Sequence, residues 1–210
     1  MAHSELLRYL GYSGQELTPQ LEARIDAMEE RCREVARPAF VSRAFGPETL
    51  PLELPGNDIA EHLRGAVEVL LVAVTLGLGV DRELRRLSLT DPLDQVLFDA
   101  AATWAVERET DRVEAQVRAD AAKRGLYCSW RFSPGYGDLP LDVQPALLAV
   151  LNASRRLGIT LTPSNLMVPT KSVTAIIGLH PTPQPGLASS CAVCSLSEFC
   201  ALRTRGVRCR

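Results

Sequence analysis

The sequence predicts an α+β fold with a mainly antiparallel sheet and flanking helices. Segments whose apolar residues recur at helical spacing are mixed with short segments typical of strands, without the regular alternation of a parallel sheet. One almost entirely apolar run, "VEVLLVAVTLGLGV" (Val67 to Val80), is a core element, and its first part, "VEVLLVAVTLG", predicts a buried strand. With 210 residues, of which 46% are hydrophobic, the chain is long enough for one domain with a sizeable core.

The N-terminal part is predicted to form a long helix, a strand and a second helix. From Leu17 the apolar residues have helical spacing, Thr18 is placed to cap the helix, and Arg37-Pro38 ends it. The segment "AFVSRAF" is typical of a strand. A proline-rich connection with a short strand in "PLEL" follows, and the capping residues of "NDIAEHLRGA" predict a helix from Asp58.

The central part is predicted to contain the buried strand and two helices. Gly77 and Gly79 permit a tight turn from the strand into the helix "DRELRRLS". A long helix with an acidic polar side is predicted from about Leu93 to Lys123, and Gly125 follows its end.

The C-terminal part is predicted to add most of the sheet. The strand "YCSWRF" leads into the loop "SPGYG", and a helix from Asp142 to Leu157 ends at Gly158. Strands are then predicted in "ITLTPS", "LMVP" and "VTAIIGLH". We therefore expect one domain over residues 1–180, with a helical part at 1–92, and a proline-rich connector with a tail at 181–210.

Composition and motif content argue against several classes of function. The formal net charge of −2, with both signs interspersed, gives no electrostatic basis for a nucleic-acid partner. Because the N-terminus lacks a basic segment followed by an apolar run, no signal peptide is predicted, and we expect a cytoplasmic protein. The apolar run is shorter than the roughly 20 residues of a membrane span. The chain has no P-loop, G-x-G-x-x-G or H-E-x-x-H motif, and its three histidines, His3, His62 and His180, are far apart.

Four of the six cysteines crowd into the last twenty residues. They have the spacing C-x2-C-x5-C-x8-C and are Cys191, Cys194, Cys200 and Cys209. In a reducing compartment such a cluster favours a metal site over disulfides. The spacing suits tetrahedral Zn²⁺ or a [4Fe–4S] cluster and is diagnostic of neither, and free or disulfide-forming thiols are the third alternative.

The loop "RFSPGYG" (Arg131 to Gly137) is the strongest candidate for a binding site. Its two glycines permit positive φ angles and close approach of the backbone to a ligand. Arg131 is suited to pair with a carboxylate or phosphate, and Tyr136 offers an aromatic face and a hydroxyl. On these residues alone, the favoured interpretation is a strand-to-helix turn whose arginine forms a structural salt bridge.

Two ordered motifs resemble a known family. "RFSPGYG", followed after a helix by "LTPSNLMVPTKSVTAIIGLHP", resembles the activation domain of cobalamin-dependent methionine synthase, over about Asp99 to Pro181. The segments "AEHLRG" and "VTLG" and the cysteine-rich tail extend the resemblance to free-standing homologues of that domain. The resemblance implies an activation-domain fold that binds S-adenosylmethionine and presents it to cobalamin for reductive methylation.

The resemblance also implies roles for individual residues. Arg131 would hold the carboxylate of S-adenosylmethionine, the backbone at Ser133 and Gly135 would line the ligand, and Tyr136 would lie between ligand and corrin. Glu107, on the preceding helix, is the best match to a family carboxylate that meets the cationic end of the ligand; a solvated helix face is the alternative. No acid or base residue is required, because cobalt is the nucleophile and the protein's task is positioning.

The resemblance implies partners as well. Because the chain has no room for the other methionine synthase modules, we expect it to act in trans on a corrinoid methionine synthase or other corrinoid protein, with an electron-donor protein. A low-potential electron favours an iron–sulfur cluster over zinc in the tail. The activity would then be of methyltransferase type. The alternative function is a non-catalytic, corrinoid-protein binding module or metal-bound adaptor.

Overall fold

The structure, a computed structural model, describes residues 4–12 and 14–184. Its α-helices are α1 (Ser4–Tyr9), α2 (Pro19–Val35), α3 (Asn57–His62), α4 (Leu78–Thr90), α5 (Pro92–Lys123), α6 (Gln144–Leu151) and α7 (Ala153–Leu157). Its strands are β1 (Ala39–Phe45), β2 (Glu68–Thr75), β3 (Tyr127–Cys128), β4 (Thr160–Leu161), β5 (Met167–Val168) and β6 (Ser172–His180). Short 3-10 helices cover Pro47–Thr49 and Leu141–Val143.

The predicted α+β class is confirmed. Four strands form one sheet in the order β1-β2-β6-β3, and β4 pairs with β5 in a second, two-stranded sheet. The β3–β6 and β4–β5 pairs are antiparallel. From Val69 onward β2 is buried along its whole length, as its apolar run predicts.

The long helices agree closely with their predicted bounds. Helix α2 begins after Thr18, whose side chain accepts a hydrogen bond from the Leu21 amide, and it ends before Arg37-Pro38. Helix α5 runs from Pro92 to Lys123 as one uninterrupted element. Apolar periodicity and capping residues lie within each helix or directly beside it, so the sequence alone predicts the bounds of these two helices.

Three predicted elements differ from the structure. No strand forms in "PLEL", and neither described sheet offers it a pairing partner. The helix predicted from Asp142 to Leu157 is interrupted at Asn152, which has the left-handed values φ 52° and ψ 39°. Asparagine tolerates this conformation better than most residues, so the break is local to its side chain. The strand "YCSWRF" is regular only over Tyr127–Cys128.

The described residues divide into two compact units. The first comprises the chain up to Val41, Ala73–Ala115 and Asn152–Val173, and the second Ser42–Val72, Gln116–Leu151 and the chain from Thr174. In the first unit, α5 packs through the small residues Ala100, Ala101 and Ala102, which are at most 5% exposed. Small side chains at these three consecutive positions let neighbouring elements approach the helix closely from more than one side.

Ion pairs also stabilise the first unit. Glu83 is buried on α4, and its carboxylate accepts hydrogen bonds from the guanidinium groups of Arg31 (2.8 and 3.2 Å) and Arg86 (3.1 and 2.8 Å). These two arginines lower the pKa of Glu83 to about 2. Lys171 is mostly buried and pairs with Asp99 (2.7 Å) and Thr103 (2.9 Å) on α5.

Within residues 4–12 and 14–184, no helix is both long and apolar enough to cross a membrane. The tail that carries Cys191, Cys194, Cys200 and Cys209 lies outside the described residues.

Candidate functional site

The candidate loop begins where β3 leaves strand β6. The amide of Ser129 donates to the Gly178 carbonyl (2.9 Å), as in a regular antiparallel pair. The return bond is different, because the Gly178 amide donates to the side-chain Oγ of Ser129 (2.8 Å) instead of its carbonyl. The Ser129 carbonyl accepts from the Arg118 guanidinium (2.9 Å), which also donates to the Cys128 carbonyl (2.8 Å). This exchange explains why the strand is regular over only two residues.

Pairing with β6 resumes after a β-bulge. Phe132 pairs with Ile176 through two backbone hydrogen bonds of 3.0 and 2.7 Å. From Ser129 to Phe132 the chain advances by three residues, while β6 advances by two from Gly178 to Ile176. The extra residue lies in the pair Trp130-Arg131, and such bulges bend a strand and redirect its side chains. Arg131 is half-buried, with its Nη1 atom buried from solvent.

The loop after Phe132 is closed by its own backbone. The Tyr136 amide donates to the Ser133 carbonyl (3.0 Å), the Gly135 amide to Leu139 (2.9 Å), and the Leu139 amide to Tyr136 (3.0 Å). The amide of Gly135 is therefore already used within the loop. Tyr136 projects outward and is 57% exposed.

Both ends of the loop are fixed to one residue of β6. The Ser133 hydroxyl donates to the Thr174 carbonyl (2.7 Å). After the loop, the Gln144 side chain exchanges hydrogen bonds with the Thr174 hydroxyl (2.9 and 3.0 Å), and both of these side chains are buried. Such fully satisfied buried contacts specify one conformation.

The predicted positive φ angles of the loop glycines are confirmed, with values of 92° at Gly135 and 53° at Gly137. At Gly137 space is limiting as well. A Cβ atom there would lie 2.3 Å from the Asp58 carboxylate oxygen, which no side chain could tolerate without displacement. The close approach at Gly137 is thus to another segment of the protein.

That segment and the loop are joined by two aspartates. Asp138 accepts hydrogen bonds from the amides of Asn57 (2.6 Å) and Asp58 (3.1 Å), at the start of α3. In return, the Asp58 carboxylate accepts from the Asp138 amide (3.2 Å). Asp138 thereby satisfies amides that an N-cap residue usually satisfies, since the N-cap Gly56 has no side chain to do so. We call this arrangement the aspartate clamp.

A row of rings leads from the loop into the interior of the second unit. Tyr136 and Phe132 are in edge-to-face contact, with centroids 6.5 Å apart. Phe132 lies 5.2 Å from Trp130, whose ring is 4.7 Å from that of His62. Phe132 and His62 are nearly fully buried. The exposed tyrosine is therefore backed by packed aromatic side chains.

His62 is a buried neutral imidazole at the end of this row. Its Nε2 lies 2.9 Å from Ser129 Oγ, the same atom that bonds to Gly178. Burial, with a smaller effect from the positive charge of His180, lowers the pKa of His62 to about 4. Burial also lowers the pKa of His180, which is 0% exposed. The fold thus brings together two histidines that are distant in sequence.

The structure places the predicted ligand residues as follows. Arg131, Ser133, Gly135 and Tyr136 lie together in the second unit, whereas Glu107 lies on α5 in the first unit and is half-buried. Asp58, Asp138 and Ser129 were not predicted to contribute. The contacts that join them to the other segments of the site span 49 to 81 residues of sequence, so no local pattern could have identified them.

Among the described residues, no group of three or more His, Cys, Asp or Glu side chains is arranged to hold a metal ion. The four tail cysteines lie beyond this part of the chain, so their predicted metal site stays a prediction.

Comparison with known proteins gives two findings. The family model for "Vitamin B12 dependent methionine synthase, activation domain" matches residues 59–185. In fold, the chain is similar to the crystal structure of the MetH reactivation domain bound to AdoHcy, with a TM-score of 0.62 at 15% identity over 98% of this chain and 81% of that one. No curated protein matches the sequence.

The aspartate clamp predicts a local loss of order in Asp138→Ala. We expect the substitution to lower the free energy of unfolding by about 1 kcal/mol, the usual cost of losing a helix cap. Asp138→Asn, which keeps one acceptor oxygen, should cost less. Hydrogen exchange should also accelerate in residues 133–139.

Asp120→Ala is the matched control for the clamp, because Asp120 pairs with Lys123 at the exposed end of α5. Exchange in the loop that is as slow in Asp138→Ala as in this control would refute the role of the clamp.

His62 predicts a pH dependence of stability. Because its pKa is near 4 when folded and about 6.5 when unfolded, unfolding takes up a proton between these values. The stabilisation that comes from keeping His62 neutral is fully present above pH 6.5 and is lost as the pH falls toward 4, by about 3 kcal/mol in all. Urea titrations of the native protein should show this slope, and His62→Gln should reduce it. An unchanged slope in the variant would contradict the assignment.

Proposed function

Because this chain belongs to the family of the activation domain of vitamin B12-dependent methionine synthase, we propose that it binds S-adenosylmethionine at the loop 131–137 and supports reductive methylation of cobalamin. The observation that carries the proposal is the loop itself. Its backbone is closed, both ends are fixed to Thr174, and the aspartate clamp holds it to α3. A rigid loop of this kind binds a ligand without the cost of ordering it.

The ligand assignment draws on a related fold. The MetH reactivation domain was crystallised with AdoHcy, which is what S-adenosylmethionine becomes after it gives up its methyl group. Transfer of this property to the present chain is a proposal, supported by the family match over residues 59–185.

Arg131 is proposed to bind the carboxylate of the methionine moiety. The bulge redirects its side chain, and a half-buried guanidinium forms stronger ion pairs than a fully solvated one. The backbone at Ser133 and Gly135 would line the ligand. Since the Gly135 amide is used by Leu139, its contribution would come from close approach rather than from N–H donation. Glu107 would meet the cationic end of the ligand.

Tyr136 is proposed to lie between S-adenosylmethionine and the corrin. Its exposed ring is the outermost member of the aromatic row, and Phe132 supports it from behind. A flat, rigid aromatic surface suits contact with both a sulfonium and a macrocycle.

The chemistry requires positioning more than acid or base catalysis. One electron reduces Co(II) to Co(I), the cobalt attacks the methyl carbon, and the carbon–sulfur bond breaks to release S-adenosylhomocysteine. No proton is transferred. The chain's contribution would be to hold the methyl group in line with a cobalt that arrives on another module.

We propose that the corrinoid is carried outside these 210 residues, by a methionine synthase or other corrinoid protein acting in trans. The similarity in fold to the MetH reactivation domain extends over 98% of these 210 residues. An electron-donor protein is the second partner that the reaction needs.

The tail cysteines are proposed to hold a [4Fe–4S] cluster, because reduction of Co(II) needs a low-potential electron; Zn²⁺ is the alternative. Four thiolates satisfy the ligand number of either site, and zinc would only brace the tail.

Calorimetric titration with S-adenosylmethionine tests the binding site. We expect saturable binding that Arg131→Ala weakens by at least about tenfold, since a charge-assisted, bidentate pair is lost. Arg64→Ala is the control, because it removes an exposed arginine that pairs with Glu61 in the same unit. Methylcobalamin should then form on a Co(II) corrinoid protein when a reductant is added.

Absence of binding, alone or with the corrinoid protein, would refute the proposal. If Arg131→Ala leaves both partner binding and S-adenosylmethionine binding intact, the loop is not the ligand site. If the native chain binds the corrinoid protein but no S-adenosylmethionine, the adaptor function is correct instead.

Anaerobic purification tests the tail. A cluster predicts visible charge-transfer absorption with iron and acid-labile sulfide near four per chain, and replacing Cys194 by Ser should remove it. Zinc without visible absorption would support the structural alternative. If the purified protein contains neither iron nor zinc, the cysteines are free or disulfide-forming thiols.

A further inference from the structure

The first unit contains a cavity of about 310 Å³ between α2 and α5. None of the residues proposed to bind S-adenosylmethionine lines it. This volume is at the lower end of the range for small-molecule sites.

The floor and walls of the cavity are mainly apolar. Cys32, Leu76 and Ala101 are at most 1% exposed, and Trp104 and Ala105 are half-buried. Burial raises the pKa of the Cys32 thiol to about 11, so it is neutral at pH 7 and acts as part of the apolar surface. The interior therefore suits an aromatic or alkyl group.

The rim carries three arginines, of which two are already paired. Arg33 forms ion pairs with Glu29 (3.0 Å) and Glu30 (2.6 Å). Arg112 donates two hydrogen bonds, of 2.9 and 2.7 Å, to the Glu109 carboxylate. These five side chains have partners of opposite charge and need none from a ligand.

Arg108 is different. Its guanidinium lies over the Trp104 ring, 4.7 Å from the centroid, and forms no side-chain hydrogen bond or ion pair with the described part of the chain. A guanidinium stacked on an indole keeps its N–H donors along the edge, where they can pair bidentately with a planar anion. The cavity thus combines an apolar interior with a cation, Arg108, that is held on Trp104 and has no ionic partner within residues 4–12 and 14–184.

We propose that this cavity binds a small amphipathic organic anion, a carboxylate or sulfonate with an aromatic or alkyl body. The anionic group pairs with Arg108, and the body packs against Trp104 and Ala105 toward Leu76. The one positive charge of Arg108 favours a ligand with one negative charge, and a neutral analogue of the same shape loses the charge-assisted contact.

Binding of 4-phenylbutanoate tests the proposal. In a Trp130→Phe background Trp104 is the remaining tryptophan, so its fluorescence should change saturably, and calorimetry on the native chain should give the same affinity. We expect Arg108→Gln to weaken binding by about tenfold or more, and 4-phenylbutanamide to bind correspondingly weakly. Arg33→Gln, which removes an arginine that is already paired, should change affinity less than twofold.

Ala105→Leu provides a second variant that keeps Arg108 and fills the cavity, and it should abolish binding. The proposal is overturned if the amide binds as tightly as the anion, if Arg108→Gln and Arg33→Gln behave alike, or if no binding is detected. These outcomes are independent of the S-adenosylmethionine site, because Arg131→Ala should leave phenylbutanoate binding unchanged.

Discussion

The hydrogen bond between the Gly178 amide and the Ser129 hydroxyl is the constraint on which the candidate site depends. By taking the place of the Ser129 carbonyl, the hydroxyl ends the regular ladder and still satisfies the Gly178 amide. The bulge that follows inserts one residue before Phe132 resumes pairing with Ile176. Without this exchange, Arg131 would fall in regular strand register and would alternate to a different face.

The site loop is fixed by several weak contacts that converge on it from different parts of the second unit. Thr174 anchors both ends, and the aspartate clamp joins the middle to α3. Because α3 also carries His62, which contacts Ser129 Oγ, the helix touches the loop segment at its beginning and near its end. A disturbance at one contact is therefore expected to reach the others, as is usual in shared hydrogen-bond networks.

How much the sequence predicts depends on the distance over which a residue acts. Helices α2 and α5 and strand β2 follow from periodicity and caps within each element, and the RFSPGYG loop follows from its own residue types. The bulge, the clamp and the His62–Ser129 contact join residues far apart in the chain. Asn152 is an intermediate case, because its side chain tolerates the left-handed break although helical periodicity continues across it.

The hydrogen bond that Arg118 donates to Cys128 also affects the edge of the sheet. Strand β3 is the last strand of its sheet, and Cys128 does not exchange hydrogen bonds with β6, so its carbonyl points to the open side. The Arg118 guanidinium donates a hydrogen bond to that carbonyl and places a positive charge on the sheet edge. An edge that is short, bulged and charged is a poor template for strands of other molecules, so the irregularity that shapes the loop also protects the protein against edge-to-edge aggregation.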